Sequence, residues 1–218
     1  MMIFALLLSA VAAARRVRRT RLPARAVIIP PRKSTVIARD GAVRSVQTAE
    51  LTMEATKLEL LWNPANLENL GRTYWRFLSR VTLGLIRVVY GEHTRSVVLI
   101  AKPLTLLRFD APEYVLDGSH GAIRWRIRDG FLVARSGRGS GYLELDVRRH
   151  PAQPDGTATV SISVEVANFY PSIAAGFSTP VYEMTQAAVH VLVTNAFLRS
   201  LAKLQLAQSK VGRLRGLL

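Results

Sequence analysis

The chain has 218 residues, 49% of them hydrophobic, and a formal net charge of +15 from 30 Lys+Arg against 15 Asp+Glu. With a mean hydropathy of +0.17, this composition excludes a disordered chain and suits one domain with a tail. The charge favours polyanionic partners, either nucleic acid or an anionic lipid surface. The absence of cysteine excludes disulfides, zinc–thiolate sites and cysteine nucleophiles.

Residues Met1 to Ala14 carry no charge, and Arg15, Arg16, Arg18, Arg19, Arg21 and Arg25 follow at once. As a helix, such a stretch rises about 21 Å, short of the roughly 30 Å hydrocarbon core of a bilayer. A signal peptide needs a charged region before its apolar run, and none is present; Ala12-Ala13-Ala14 resembles a cleavage site, but two arginines directly after it oppose export. A membrane anchor fits better, with Arg15, Arg16, Arg18 and Arg19 contacting anionic headgroups on the cytoplasmic side. A dispensable tail or a misassigned start is the third reading, and would leave a cytoplasmic protein. Pro23, Pro30 and Pro31 break any continuing helix, so residues 20–40 read as a linker or an extended arm. The turn signal Asp40-Gly41 places the start of the domain near residue 41, and the domain runs to about 210 before a basic and apolar tail at 211–218.

Within the domain, Val43 to Leu51 suits a first strand. Helical spacing then covers Thr52 to Trp62, ended by Asn63-Pro64, and Ala65 to Ser79, with Leu67, Leu70, Tyr74 and Leu78 on one face. Val81 to Tyr90 is rich in β-branched residues and turns at Gly91-Glu92-His93 into a run from Thr94 to Phe109. Pro103 interrupts that run, which predicts a bent or edge strand. Glu113 to Leu116 is a short strand. Ile123, Trp125 and Ile127 alternate with Arg124, Arg126 and Arg128, the signature of a half-buried strand, and Asp129-Gly130 turns it into Phe131 to Ala134. Leu143, Leu145 and Val147 alternate with Glu144, Asp146 and Arg148, and Val160, Ile162, Val164 and Val166 with Ser161, Ser163 and Glu165. Such strands predict an antiparallel sheet with one face on the core and one in water. A long amphipathic helix from about Ser178 to Gln208, ended near Gly212, closes the chain.

Strand, two short helices, antiparallel strands and one long C-terminal helix: this α+β order resembles the helix-grip superfamily of START, Bet v 1 and polyketide-cyclase-like domains, over residues 43–208. The stretch Trp125-Arg126-Ile127-Arg128-Asp129-Gly130-Phe131-Leu132-Val133 is similar to the strand–turn–strand of those domains. The resemblance implies a curved antiparallel sheet wrapped on the C-terminal helix. It also implies an apolar cavity between sheet and helix for a lipid or other hydrophobic small molecule, and binding without catalysis. It implies no cofactor.

Candidate site residues follow from the pattern. Tyr182, Gln186, His190 and Thr194 recur every four residues and make one polar stripe on the final helix; facing water they are inert, and facing a cavity they anchor a ligand. Glu165 and Asn168, at the end of the preceding strand, come within reach of that stripe, and Trp125 is a core-facing wall residue. The Arg124, Arg126 and Arg128 face either binds phosphates or is consumed by cross-strand ion pairs with Glu144, Asp146 and Glu165. Gly137-Arg138-Gly139-Ser140-Gly141 precedes a strand, not a helix, and so reads as a hairpin loop rather than a phosphate loop. His93, His120 and His150 lack metal-ligand spacing, and no nucleophile motif is present. Two alternatives remain open: a nucleic-acid-binding basic module, against which stands the lack of interleaved aromatics, and a cyclase or dehydratase using His190 and Glu165 as acid and base. The oligomeric state is not readable from the sequence.

Overall fold

A computed structural model describes residues 22–31, 33–99, 104–172 and 188–207. In chain order the elements are β1 (Arg25–Ile29), β2 (Thr35–Ile37), β3 (Val43–Glu54), α1 (Ala55–Leu61), α2 (Pro64–Val81), β4 (Ile86–Tyr90), β5 (Thr94–Leu99) and β6 (Leu104–Asp110). They continue with β7 (Glu113–Leu116), β8 (His120–Asp129), β9 (Tyr142–Arg149), β10 (Thr157–Phe169) and α3 (Ala188–Ser200). The strands form one antiparallel sheet in the order β1-β3-β10-β9-β8-β6-β5-β4, with β2 paired to β3 and β7 to β8. This is the helix-grip order: a first long strand, two helices, a meander of strands and a C-terminal helix.

The alternation read from β8, β9 and β10 is realised as two distinct faces. Ile123, Trp125, Ile127, Leu143, Leu145, Val160, Ile162 and Val164 are buried, while the residues between them are partly or fully exposed. Helix α2 starts where Asn63 caps it, its Oδ1 accepting from the Asn66 N–H at 2.9 Å, with Pro64 in the first turn. Gly71 lets the helix lie close on the sheet, because a Cβ there would meet Ile123 Cδ1 and Trp125 Cζ2 at 3.0 Å. Trp75 packs on Tyr74, Phe109 and Trp125 with ring centroids 5.0, 5.4 and 5.1 Å away. Helix α3 lies over β1 and β3 and meets α2 through Phe197, whose ring packs on Tyr74 at 5.2 Å.

Residues 22–40 take the second of the two forms expected for them. They are an arm laid on the sheet, β1 pairing with β3 from Arg25↔Thr52 to Ile29↔Thr48 and β2 pairing with it from Thr35↔Ser45 to Ile37↔Val43. Three expectations change. The run from Thr94 to Phe109 is not one bent strand but two strands folded on each other, from Thr94↔Asp110 to Leu99↔Leu104, and Pro103 falls in the connection outside the described residues. Phe131 to Ala134 is not a strand: the N–H groups of Phe131 and Leu132 bond to Thr105 and Leu106, while that of Ala134 bonds to Tyr170, so no single neighbour supplies a ladder. The C-terminal helix stops well short of Gln208. A 3-10 turn at Leu201–Lys203 ends with Leu204 in a left-handed conformation (φ 50°), which sends the chain back over α2. The start expected for that helix, near Ser178, lies outside the described residues.

Candidate functional site

The inner face of the sheet is not filled everywhere. Under α1 and the first half of α2 lies a cavity of about 90 Å³. Its floor is the inner face of β3, β9 and β10, through Leu51, Met53, Val147, Val160 and Ile162. Leu58 and Leu61 of α1 and Leu67 and Leu70 of α2 form the roof, and Leu116 and Gly121 close one side. Leu201, Leu204 and Leu206, in the segment that leaves α3, close the other. Two hydrogen bonds hold that segment down: Ala24 N donates to Ala202 O at 3.2 Å, and Ala207 N donates to the Thr73 side-chain Oγ1 at 2.8 Å.

The wall of the cavity is apolar, and its polar members, Asn63 and Asn66, belong to the cap that starts α2. Asn63 Nδ2 donates to Leu60 O at 2.9 Å, and Trp62 Nε1 donates to Asp117 O at 2.8 Å, so the mouth is built from groups whose hydrogen bonds are already spent on the fold. Asp117 in turn accepts from the N–H groups of Ser119 and His120, both at 2.7 Å, and these bonds hold its carboxyl below the ordinary carboxylate value. A site of this kind can exclude water and hold a hydrocarbon group. It offers no nucleophile and no acid–base pair.

Of the site residues expected from the sequence, Trp125, Glu165, Asn168 and Thr194 are described, and these four do not line the cavity. Tyr182 and Gln186 lie outside the described residues, as do Arg15, Arg16, Arg18 and Arg19, and of His190 only the backbone is described, within α3. Thr194, on α3, is fully buried, and its Oγ1 has no hydrogen-bond partner among the described residues. Trp125 is a core residue, 2% exposed, packed against Trp75. Glu165 is on the outer face, where its Oε1 accepts from Arg44 Nε at 2.8 Å and from Tyr142 Oη at 3.3 Å. That corrects its pairing with His190 as acid and base and its place near the helix stripe: the parity that buries Val164 turns Glu165 away from α3. Asn168 is exposed, with φ 50°, in the bulge between Val166 and Phe169. The cavity was missed because its wall residues are ordinary core types. Their only signal was that Val147, Val160 and Ile162 share the buried parity.

The outer face carries the charges, and they are matched. Arg124 Nε donates to Glu144 at 2.5 Å, Arg126 Nε to Glu113 at 2.6 Å and Arg148 Nε to Asp146 at 2.9 Å, while Arg128 lies 3.8 Å from Asp110. His120 Nε2 bonds to Asp146 at 2.6 Å. Of the two readings of the arginine ladder, cross-strand pairing is the one realised, with Glu144 as expected and with Glu113 and Asp110 in the places expected for Asp146 and Glu165. The glycine loop at 137–141 is followed by β9, and Gly137 is buried against Tyr170. Among the described residues no group of His, Asp and Glu is placed to hold a metal ion, and no helix is long and apolar enough to cross a membrane.

The fold is that of a helix-grip α+β domain, with an apolar cavity between its sheet and helices. No family model and no curated protein match the chain. Among solved structures it is similar to human STARD10, at 12% identity and a TM-score of 0.30, over 78% of this chain and 72% of that one. It is similar to a conserved protein from Geobacillus kaustophilus, at 11% identity and a TM-score of 0.33, over 72% of this chain and 95% of that one. It is also similar to norcoclaurine synthase from Thalictrum flavum, at 12% identity and a TM-score of 0.31, over 79% of this chain and 98% of that one. At such low TM-scores the fold class rests on the chain's own strand order and helix placement.

Proposed function

We propose that this protein binds an apolar small molecule, or the hydrocarbon part of a lipid, in the cavity beneath α1 and α2. The observation that carries this reading is the composition of the wall: aliphatic side chains from seven elements surround a void whose polar residues sit only at the α2 cap. Closely packed interiors seldom leave such a void, and one lined by hydrocarbon stays dry and accepts apolar guests. As folded, its 90 Å³ is smaller than the engineered void of about 150 Å³ that holds benzene. A larger guest therefore enters by displacing Leu204 and Leu206, the part of the wall held by one hydrogen bond to Thr73. The apolar stretch before Arg15, Arg16, Arg18 and Arg19 supports placing this binding at an anionic membrane surface.

The test uses a neutral fluorescent probe, N-phenyl-1-naphthylamine, titrated into the full chain purified without detergent. Saturable binding is expected in the parent protein. Val160→Phe, which puts a ring into the void, should abolish it while changing stability by about 1–3 kcal/mol or less. A folded Val160→Phe protein that binds the probe as well as the parent would sink the reading.

A further inference from the structure

The corner between α2 and β4 presents apolar and basic side chains that the core does not use. Leu83 is 68% exposed, and Leu85 and Val89 further along the chain are exposed as well. Val89 shares the exposed face of β4 with Arg87, while Arg76 and Arg80 stand one turn apart on the exposed side of α2. Among the described residues none of these three arginines is in an ion pair, unlike Arg124, Arg126 and Arg128 on β8.

The shape of the corner does not come from its leucines. Thr82 is buried and pins it: its Oγ1 donates to the Leu78 carbonyl at 3.0 Å and accepts from the Ile86 N–H at 3.2 Å. The N–H groups of Leu83 and Gly84 donate to the carbonyls of Arg80 and Ser79 at 3.0 and 2.8 Å, which closes the helix end. These bonds hold Leu83 at φ 53°, in the left-handed region that a Cβ disfavours. Among the described residues, the other non-glycine positions so placed are Asn168 and Leu204. Asparagine tolerates that conformation, and Leu204 gains cover in the cavity wall. Leu83 has the strained backbone without burial to offset it. Neither local conformation nor packing accounts for a leucine there, and such a departure marks a position used outside the fold.

Exposed leucines flanked by unpaired arginines are complementary to a surface that offers hydrocarbon and negative charge together. A bilayer containing anionic lipid is that surface. Nucleic acid supplies the charge but leaves the aliphatic side chains in water, and the exposed residues of the corner include no aromatic ring for a base to stack on.

We propose that the α2–β4 corner docks on anionic bilayers, with Leu83 and Leu85 entering the boundary between headgroups and acyl chains and Arg76, Arg80 and Arg87 contacting lipid phosphates. The proposal rests on the membrane placement given above, which it deepens by naming the folded element that touches lipid, and does not depend on the apolar cavity.

The chain lacks cysteine, so one introduced thiol can carry an environment-sensitive fluorophore. The test labels Leu83→Cys in the full chain with a nitrobenzoxadiazole dye. The protein is then mixed at low salt with vesicles of phosphatidylserine and phosphatidylcholine in equal parts, and sedimented with them. The label should brighten several-fold and be quenched by doxyl lipid, with neither change on pure phosphatidylcholine. The same label in Val115→Cys, also exposed (51%) but on the strand beside the paired arginines of β8, should stay unchanged. Arg80→Gln and Arg87→Gln should each raise the lipid concentration for half of the response by roughly fivefold, and added salt should act in the same direction. Leu85→Cys serves where Leu83→Cys fails to fold. A label at the corner that stays dark on co-sedimented vesicles overturns the docking and leaves the membrane placement standing, whereas a chain that does not sediment with vesicles overturns both. Equal responses at positions 83 and 115 overturn the docking too, as does a label that brightens on single-stranded RNA and not on vesicles.

Discussion

The arginines of the outer face and those beneath α2 make an instructive contrast. On β8 each guanidinium of the arginine ladder faces a carboxylate on a neighbouring strand: Arg124 that of Glu144 at 2.5 Å, Arg126 that of Glu113 at 2.6 Å and Arg128 that of Asp110 at 3.8 Å. Beneath α2, Arg72 and Arg95 converge on Tyr90 instead, and a guanidinium nitrogen is left with nothing to donate to. The first arrangement spends its polar groups on the sheet. The second buries its cations between a helix and the sheet, against an aromatic ring.

Substitutions on the two sides sharpen the contrast. The largest effect is expected at Arg95, whose removal as Arg95→Met takes its donor from the Gly91 carbonyl in the β4–β5 turn, while the Thr94 carbonyl keeps the Gly91 N–H at 2.9 Å. It should cost about 1–3 kcal/mol in urea unfolding, the usual penalty for buried groups that lose their partner. A loss no larger than that of a surface substitution would show that Arg95 has no structural part.

On the outer face, a double-mutant cycle of Arg124→Ala and Glu144→Ala should return a coupling of only about 0.2–1 kcal/mol, since Arg124 is 39% exposed and screened by water. A coupling several times larger would erase the distinction between the two regions.

The smallest effect is in pH dependence. Burial pushes the Tyr114 phenol up to about 12, the Glu68 carboxylate adds to the rise, and Arg95 opposes it. The unfolded chain ionises this phenol first, at about pH 10, so the neutral form stabilises the fold below that pH and the contribution fades as pH climbs toward 12. Tyr114→Phe should therefore show a shallower fall in stability across that window than the parent. An identical fall in both would place Tyr114 outside the cluster.

Much of the fold was legible along the chain because local physics repeats locally. Ile123, Trp125 and Ile127 alternating with arginines required a strand with one greasy face, and Asn63-Pro64 required a helix start after a helix stop. The pairing of Arg124 with Glu144 followed from the same parity. What failed had no local signal. Whether 94–110 is one strand or two depends on Thr94–Leu99 pairing back on Leu104–Asp110, a contact that propensity does not mark. Leu204 takes a left-handed conformation with no glycine to announce it, because the chain after α3 returns to cover α2.

The sequence by itself determined the α+β class, the order of the elements and the sorting of residues between the two faces, since period and turn chemistry act over a few residues. The tertiary structure alone decided which buried positions are packed and which enclose space. Val147 and Val160 look like any core valine until α1, α2 and the segment after α3 are seen to leave a gap above them. It alone decided, too, that Glu165 is tied to Arg44 on the far side of the sheet, and that Arg72 and Arg95 meet around Tyr90. Those outcomes depend on contacts between elements far apart in the chain, and no short-range pattern encodes them.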